Sequence, residues 1–354
     1  MTAQARIAFD MTFPSRNPAG SGVYASGLLE ELARHNDVSV VTVAAPQAGG
    51  FPRTMRWLTV GARQAVAGSQ LVHCPSFVAP WRVGVPFVLT VHDTSAGRYP
   101  EDHPLEWRTY TRFFLPERAR AAARVITGTE YSRGEIIRDL GVAAGRVAVT
   151  PYGVAERFSR QQTAHVATAD PPSLLFPGAP TRRKNLELVL AAMAHAPERS
   201  LLRRARLAIT GATRDRFPHH DTRIRSLGLE RRVEWLGKVP AETMPGLIQG
   251  TDLVVYPSLF EGFGFPALEG MAAGTPVLAS NAACLPEVLG DAAVLVDPTD
   301  LRAFMSAAES LLDDSDLRRR MIEKGRARAA LYTWRRCADL TIEVYRVALA
   351  GVGG

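Results

Sequence analysis

The chain has 354 residues, 46% of them hydrophobic and 22% charged, so its composition excludes a disordered chain and its length suits two globular domains. Its net charge of +7 suits an anionic ligand, a nucleic acid or an anionic membrane surface. Because no long run of lysine and arginine occurs and no apolar run reaches the roughly 18 residues of a membrane-spanning helix, we expect neither a nucleic-acid partner nor a transmembrane segment.

Short β-branched apolar runs alternate with helical patterns in the first half of the chain. We predict strands over Arg6–Met11, Val38–Val43, Gln70–Cys74, Pro86–His92, Arg124–Thr129 and Arg146–Pro151. Helical patterns such as Gly22–His35 lie between them. Strands that are apolar on both faces and separated by helices predict a parallel sheet covered on both sides.

A polar stretch without periodicity, residues 159–172, ends in two prolines and is the predicted linker. After it the pattern restarts, with strands predicted over Ser173–Gly178, Ala205–Gly211, Arg232–Gly237, Asp252–Ser258, Thr275–Ser280 and Ala292–Pro298. We therefore predict an α/β fold of two doubly wound, Rossmann-like parallel-sheet domains, residues 1–158 and 173–334. Ligands of such sheets bind at the carboxyl ends of the strands, so we expect two facing domains with a cleft between them.

Two glycines near the first predicted helix match part of a dinucleotide-binding fingerprint. Gly20, Gly22 and Ala25 fit its G-x-G-x-x-A spacing, but the loop before them is long and the next strand carries no acidic residue for a ribose. An NAD-dependent enzyme is therefore a secondary alternative. Gly20 and Gly22 are candidates for contact with an anion at the helix N-terminus, and an ordinary strand-to-helix loop is the other interpretation.

Two glutamates stand eight positions apart in the second half of the chain. Glu269 is predicted in the first turn of a helix that begins at Pro266 and stops at Gly274, and Glu261 in the loop before it. Eight helical positions span about 12 Å, whereas paired glycosidase carboxylates stand roughly 5 to 9.5 Å apart. The two carboxylates are therefore predicted to have separate roles.

Those roles follow from the glycine-rich loop between the two glutamates. Gly262 and Gly264 permit a tight loop whose backbone N–H groups, together with the helix dipole, suit a diphosphate. Glu269 can then accept hydrogen bonds from a ribose diol, while Glu261 faces a sugar on which positive charge develops. The alternative for Glu269 is simple stabilisation of the helix dipole by an acidic first turn.

The stretch "FEGFGFPALEGMAAGTPVLAS" resembles the signature of the retaining glycosyltransferases of family 4, which have the GT-B fold. Further stretches resemble family blocks in the family order over nearly the whole chain, namely "LVHCPSFVAP", "VLTVHD", "RVITGTEYSRGEI", "RVAVTPYGV", "LLFPGAPTRRKNLELVLAA", "VEWLGKVP" and "ACLPEVLGDAAVLVDP". The resemblance implies a nucleotide on the second domain and an acceptor against the first. It also implies that the last helix, about 335–350, packs back onto the first domain.

The resemblance assigns roles residue by residue. Arg183 and Lys184 match the basic pair that contacts the donor diphosphate, and the residues alone support this, because two cations after a strand end suit a phosphate pair. The alternative for this pair is a solvated basic helix start. His92 matches the histidine that faces the transferred sugar without acting as general base, and a buried structural histidine is the alternative. Asp93 is expected to orient the loop.

The remaining assignments concern the donor. Glu261 is expected at the sugar and Glu269 at the ribose. Val239 matches the position at which backbone binds the base. Backbone N–H groups are expected to meet the sugar hydroxyls and phosphate, and they belong to Gly262, Phe263, Gly264 and Phe265.

The chain also departs from the family pattern. Members often have "PNGVD" where this chain has "PYGVA", so Tyr152 and Ala155 replace polar residues. Members often carry Arg or Thr where this chain has Ala179, so one phosphate contact is either missing or supplied by Arg182. These departures put donor affinity and acceptor chemistry in question more than the reaction class.

The expected reaction moves a hexose from a nucleoside diphosphate sugar to an acceptor hydroxyl with retained anomeric configuration. By analogy with the mannosyl and rhamnosyl branch, GDP-mannose is the favoured donor, and a glycan or lipid-linked saccharide is the expected acceptor. No Asp-x-Asp motif occurs, so no metal and no cofactor are expected. A sugar-nucleotide hydrolase or epimerase on the same fold, and a non-catalytic nucleotide-sugar-binding protein, are the alternatives.

One segment bears on location. Residues 106–124 interleave aromatic side chains with five arginines, which are Arg108, Arg112, Arg118, Arg120 and Arg124. Such a helix suits an anionic membrane surface, and a packed helix with a solvated basic face is the other interpretation. Three cysteines far apart in sequence and no recognisable signal peptide predict reduced thiols in a cytoplasmic protein. Peripheral association with the inner face of the cell membrane is the further expectation.

Overall fold

A computed structural model describes residues 4–16, 20–45, 56–160 and 168–351. The chain forms two compact units, one made of Met1–Gly153 with Tyr332–Gly354 and the other of Val154–Leu331. Residues 161–167 of the predicted linker lie outside the described residues. Each unit is built on one six-stranded parallel sheet.

The first unit contains the six strands predicted for it. They are β1 (Ala5–Asp10), β2 (Val38–Val43), β3 (Leu71–Cys74), β4 (Phe87–Thr90), β5 (Arg124–Thr127) and β6 (Val147–Val149). Their order across the sheet is β2-β1-β3-β4-β5-β6. The strand order reverses direction beside β1, which makes the sheet doubly wound as predicted.

The second unit contains the other six predicted strands. They are β7 (Ser173–Phe176), β8 (Arg206–Thr210), β9 (Val233–Gly237), β10 (Leu253–Tyr256), β11 (Val277–Ser280) and β12 (Val294–Val296). Their order is β12-β11-β10-β7-β8-β9. Because β7 pairs with both β8 and β10, the reversal lies between β7 and β10, where such sheets bind ligands.

Helices lie in most of the connections between parallel strands, as is usual for parallel crossovers, but the connection from β3 to β4 contains none. In chain order they are α1 (Ser21–Arg34), α2 (Ala62–Ala65), α3 (Ser95–Arg98), α4 (Leu105–Thr109), α5 (Leu115–Ala121), α6 (Glu130–Leu140), α7 (Leu186–His195), α8 (Leu201–Arg204), α9 (Pro218–Ser226), α10 (Met244–Gln249), α11 (Phe265–Ala273), α12 (Leu285–Leu289), α13 (Leu301–Asp313), α14 (Ser315–Ala329) and α15 (Trp334–Ala350). Two π-helical turns, Trp57–Gly61 and Tyr110–Phe114, precede α2 and α5. Among the described helices, none combines the length and the apolar composition of a bilayer span.

The inner strands are buried on both faces, which is why they lack polar alternation. Every residue of β3, β4, β10 and β11 is buried, whereas the edge strands β2 and β9 are partly exposed. Parallel sheets covered by helices on both faces have this burial pattern. Cys74, Cys284 and Cys337 are all buried, and none of the three is in a disulfide.

The last helix, α15, belongs to the first unit and packs against α1, β4 and β5. Its first residue, Trp334, fills the space left by two glycines, because a Cβ added to Gly27 or Gly153 would lie 2.3 Å from a Trp334 atom. Near the other end of the helix, the Tyr345 hydroxyl lies 2.7 Å from His73 Nδ1. Backbone contact at one end and a buried hydrogen bond at the other hold α15 on this unit.

Candidate active site

Three charged side chains meet beyond the carboxyl ends of β7 and β10. Arg183 and Lys184 lie in a 3₁₀ turn (Arg182–Lys184) after β7, and Glu261 lies in the loop after β10. Glu261 Oε2 is 3.0 Å from Arg183 Nη1, and Glu261 Oε1 is 2.5 Å from Lys184 Nζ. Because β7 and β10 are neighbours at the strand-order reversal, the sheet brings together side chains that are far apart in sequence.

Backbone contacts fasten the 3₁₀ turn to the loop after β10. The Leu259 N–H donates to the Arg183 carbonyl at 2.7 Å, and Arg183 Nη1 donates to the Phe260 carbonyl at 3.1 Å. Asn185 ends the turn in the left-handed region, at φ 59°, a conformation that asparagine adopts more readily than most residues. Its side-chain Nδ2 donates to the Pro257 carbonyl at 3.2 Å. The two cations therefore have fixed positions relative to Glu261.

Burial and charge set the protonation of this cluster. The side chains of Glu261, Lys184 and Arg183 are 8%, 10% and 22% exposed. Burial alone would raise the pKa of Glu261, but the two cations outweigh burial and hold that pKa well below its usual range. Burial lowers the pKa of Lys184, and Glu261 only partly offsets this because Arg183 acts with burial. The cluster keeps one net positive charge for an incoming anion.

Lys184 is buried, which contradicts the alternative of a solvated basic helix start. Its Nζ also donates to the Tyr256 hydroxyl at 2.5 Å and lies 4.3 Å from the centre of that ring. Tyr256 is the last residue of β10, and the sequence offered no signal for this contact, because the residue fits an ordinary buried strand.

The helix after the loop begins one residue earlier than predicted. Its first residue is Phe265, Pro266 is the second, and Gly264 is the N-cap with φ 90°. The first turn contains no acidic residue, so the prediction that Glu269 lies in the first turn is wrong, and so is the dipole alternative that depended on it. Proline is tolerated anywhere in a first turn, because the N–H groups there lack intrahelical partners. The predicted stop at Gly274 is confirmed.

Glu269 has surroundings of its own. It lies in the second turn of α11, partly buried, and burial raises its pKa to about 7. The Arg157 guanidinium acts in the opposite direction. Arg157 lies in the turn Glu156–Phe158, which packs against α11. The two glutamates thus interact electrostatically with different cations. The sequence analysis did not identify Arg157, because the segment around it shows no motif.

The glycine-rich loop between Glu261 and α11 packs tightly against neighbouring side chains. A Cβ on Gly264 would lie 2.7 Å from Leu285 Cδ2. Phe263 is buried, and its ring packs against that of Phe265 with ring centres 5.0 Å apart. Gly262 is buried beside them. Val239 is partly exposed in the loop after β9, and β8 separates that strand from β7.

His92 lies two residues beyond β4, at the carboxyl edge of the first unit's sheet, where the sequence predicts it. Its Nδ1 is 2.8 Å from the Tyr152 hydroxyl. Burial lowers the pKa of His92 to about 4, against the opposing effects of the Asp93 carboxylate and the Pro75 carbonyl, so the ring is neutral at pH 7. Asp93 Oδ1 accepts the Ser95 N–H at 2.8 Å, which fits the predicted loop-orienting role.

Gly20 and Gly22 flank the start of α1. Gly20 is the N-cap, with φ 48° and ψ −98°, and a Cβ added to it would meet nothing within 4 Å. Gly22 is the second helical residue and is buried. The helix start therefore leaves open space at Gly20. No cluster of three metal-ligating side chains is found in the described ranges of the chain.

An exposed apolar and basic surface lies on α4 and the π-helical turn that follows it. We call this the aromatic–basic surface, and it consists of Leu105, Arg108, Arg112, Phe113 and Phe114. Leu105 is 69% and Phe113 65% exposed. Three of the predicted arginines are not part of it. Arg118 is buried with its guanidinium 4.9 Å from the Phe87 ring centre, Arg120 donates to the Leu140 carbonyl, and Arg124 begins β5.

Two family models match the chain in succession. The model described as Glycosyltransferase Family 4 matches residues 18–158. The model described as Glycosyl transferases group 1 matches residues 158–328. Together they span every predicted site residue and every strand of the two sheets except β1.

Relatives and solved structures agree with these matches. O-antigen chain mannosyltransferase B of Escherichia coli is 32% identical over 287 residues, which are 78% of this chain and 74% of that protein. The MMP alpha-(1->4)-mannosyltransferase of Mycolicibacterium hassiacum is 30% identical over 298 residues, 77% of this chain and 67% of that protein. Sucrose-phosphate synthase from Thermosynechococcus elongatus superposes with a TM-score of 0.80 at 23% identity, over 98% of this chain and 100% of that one. Anabaena HepE in complex with UDP and glucose superposes with a TM-score of 0.76 at 17% identity, over 97% of this chain and 100% of that one.

Proposed function

This chain is a glycosyltransferase of family 4 with the GT-B fold, and from that premise we propose that it transfers a hexose, with mannose favoured, from a nucleoside diphosphate sugar to a hydroxyl of a glycan or lipid-linked saccharide. The observation that carries the proposal is the buried cluster of Arg183, Lys184 and Glu261 beside the glycine-rich start of α11. It combines fixed cations for a diphosphate with one carboxylate.

The proposed chemistry is transfer with retention. The bond between the anomeric carbon and the β-phosphate oxygen breaks while the acceptor oxygen bonds to the same face of that carbon. The acceptor proton passes to the leaving phosphate. Arg183 and Lys184 stabilise the charge that develops on the diphosphate. Glu261 stabilises the positive charge on the sugar ring, and His92 hydrogen-bonds the sugar. No metal and no cofactor take part.

The remaining contacts to the donor are assigned to α11, to the loop before it, and to backbone positions near α1 and after β9. Glu269 accepts hydrogen bonds from the ribose diol. Backbone N–H groups of the loop from Gly262 to Phe265 meet the sugar hydroxyls and the phosphate, with Gly20 and Gly22 as a second set of donors. Val239 contacts the base through its backbone. The mannosyltransferase names of the two 30% and 32% relatives support GDP-mannose, whereas the HepE structures hold UDP, glucose or UDP-glucose.

A panel of UDP- and GDP-sugars, read by thermal shift, tests the donor. We expect GDP-mannose and GDP to raise the melting temperature more than their uridine counterparts. A larger shift with UDP-glucose would replace mannose in the proposal, and no shift with any nucleotide would reject it. The anomeric coupling in the NMR spectrum of the product tests retention. Release of free sugar without acceptor would favour the hydrolase alternative, and binding without turnover the non-catalytic one.

We also propose that the aromatic–basic surface contacts an anionic membrane that carries a lipid-linked acceptor. Exposed phenylalanines and arginines side by side suit an interface of acyl chains and anionic headgroups. We expect flotation with vesicles that contain phosphatidylglycerol and none with pure phosphatidylcholine. Phe113→Ser combined with Arg112→Glu should abolish it. Val347→Ser, which removes an exposed apolar side chain elsewhere on the same unit, should not. Equal flotation of both variants would contradict the proposal.

A further inference from the structure

The ring of His92 is enclosed by three aromatic side chains. Tyr24, Phe77 and Tyr152 meet it edge-on, with ring centres 5.0, 5.1 and 5.5 Å away. Edge contacts of this kind define the plane of a ring but do not decide which of its nitrogens carries the proton. Only a hydrogen bond to one of the nitrogens decides that.

Tyr152 makes that hydrogen bond. Its hydroxyl lies 2.8 Å from Nδ1 of His92. His92 Nε2 is buried and makes no hydrogen bond of accepted geometry with any residue in the described part of the chain. The imidazole therefore has a hydrogen bond at Nδ1 and none of accepted geometry at Nε2, although the Pro75 carbonyl lies near enough to raise the pKa of the ring.

The position of Tyr152 is itself fixed by packing. The residue is 1% exposed, and its ring lies 4.5 Å from that of Tyr24. The next residue, Gly153, passes so close to the start of α15 that an added Cβ would lie 2.3 Å from the Trp334 backbone nitrogen. Because neither the backbone nor the ring of Tyr152 can shift freely, its hydroxyl has a fixed position beside His92.

The chemistry of the pair determines the direction of the bond. A neutral imidazole has one donor and one acceptor nitrogen, and burial keeps His92 neutral at pH 7. Burial also raises the pKa of Tyr152 well above its ordinary value, so the phenol keeps its proton. A phenol hydroxyl is a good donor and an imidazole nitrogen a good acceptor. A Tyr152 hydroxyl that donates to Nδ1 leaves the ring proton on Nε2.

We propose that Tyr152 is a positioning residue, which holds His92 in one ring orientation with its proton on Nε2, ready to donate to an oxygen of the transferred sugar. Donation to the sugar rests on the proposed function, whereas the tautomer does not. Tyr152 stands where members of the family often have asparagine.

The tautomer is tested by long-range ¹H–¹⁵N NMR of the full-length protein with labelled histidine, and His92→Gln assigns the signals. We expect a protonated Nε2 and an unprotonated Nδ1 in the wild type. Tyr152→Phe should give a mixture of tautomers for His92. Tyr24→Phe is the matched control, because its ring packs against the same histidine while its hydroxyl lies 3.2 Å from Thr90 Oγ1 instead. A proton on Nδ1 in the wild type, or an unchanged tautomer in Tyr152→Phe, would overturn the proposal.

Kinetics separates positioning from general packing. Tyr152→Phe should lower kcat about tenfold, the value of one ordinary hydrogen bond, with the donor KM within about twofold. Tyr24→Phe should stay within about twofold in both constants. Equal losses in the two variants would overturn the positioning role. If the wild-type protein transfers no sugar from any donor, the proposed function fails, and the NMR result alone then decides the role of Tyr152.

Discussion

Glu261 is held by two cations in a site where an uncompensated charge would be costly. Arg183 and Lys184 are both within 3.0 Å of its carboxylate, and they are also the residues proposed to meet the donor diphosphate. The carboxylate therefore keeps the two cations in place before the donor binds. In the proposed complex, the donor diphosphate would add the negative charge that balances the net positive charge of the cluster.

Glu261→Gln tests this arrangement at constant side-chain size. We expect the free energy of unfolding to fall by about 3 kcal/mol, because loss of one partner from a buried ion pair leaves charge uncompensated. Turnover should fall by roughly a hundredfold or more, since charge on the sugar loses its stabilisation. Addition of GDP should raise the melting temperature of the variant more than that of the wild type. Chemical denaturation provides the measurement and Glu234→Gln, an exposed residue, the control. Unchanged stability of Glu261→Gln would contradict the role assigned to the ion pair.

Glu269 predicts a pH dependence of donor binding. Its pKa is raised to about 7 by burial, so the carboxylate that can accept two ribose hydrogen bonds is depleted as the pH falls below 7. We expect GDP-mannose to bind about tenfold more weakly at pH 6 than at pH 8, because the ionised fraction falls by about that factor. Calorimetry at the two pH values measures the effect.

The matched variant for that experiment is Glu269→Gln. It should bind GDP-mannose more weakly at pH 8 and show a flat affinity between pH 6 and pH 8, because no group at this position then titrates. The same pH dependence in wild type and variant would mean that another group is responsible.

At the scale of the element, α11 depends on the backbone conformation of the glycine before it. Gly264 has φ 90° and no room for a Cβ beside Leu285. Gly228 has a similar φ, 67°, but a Cβ there would meet nothing within 4 Å. Both glycines have a positive φ, and they differ in whether a Cβ would have space.

Gly264→Ala and Gly228→Ala separate these two effects. Gly228→Ala should lower the free energy of unfolding by about 1 kcal/mol, the cost of a left-handed alanine. Gly264→Ala should cost at least about 1 kcal/mol more, because Leu285 must move, and it should also weaken GDP binding by displacing the start of α11. Denaturant midpoints and calorimetry measure the two quantities. Equal losses of unfolding free energy in both variants would show that contact with Leu285 adds nothing to the cost of Gly264→Ala.

At the scale of the whole molecule, the chain leaves the first unit after Gly153 and returns to it at Tyr332. The stability of that unit therefore depends on residues from both ends of the sequence. Trp334 fills the space over Gly27 and Gly153, and Tyr345 reaches His73. We expect the two units to unfold as separable transitions because each has its own sheet and core.

Trp334→Ala should lower the stability of the first unit by about 3 kcal/mol, a typical cost of removing a large packed side chain. The transition of the second unit should not move, and GDP should raise that transition more than the first. Differential scanning calorimetry measures both transitions. Leu331→Ala, an exposed leucine three residues earlier, is the control and should change neither by more than about 0.5 kcal/mol. A uniform shift of the whole profile would contradict the assignment of α15 to the first unit.

Local sequence pattern was sufficient to predict much of the fold and part of the candidate site. Continuous apolar runs predicted all twelve strands, because strands buried on both faces show no polar alternation. The same runs predicted that His92 lies at the carboxyl end of its strand, which the structure ends two residues earlier, and that Arg183 follows β7. The start of α11 was misplaced by one residue because proline fits either of the first two helical positions. Arg118 was assigned to an exposed face because spacing cannot reveal that it packs on Phe87.

The sequence by itself determined which segments become strands, which loops carry charge, and which family the chain resembles, since these follow from short-range pattern and motif. Only the tertiary structure decided which side chains meet. Strand order places the loops of β7 and β10 together, so Glu261 pairs with Arg183 and Lys184, while Glu269 faces Arg157. It also brings Tyr152 to His92, across sixty positions. Contacts of this kind depend on sheet topology and packing, which no local stretch of sequence contains.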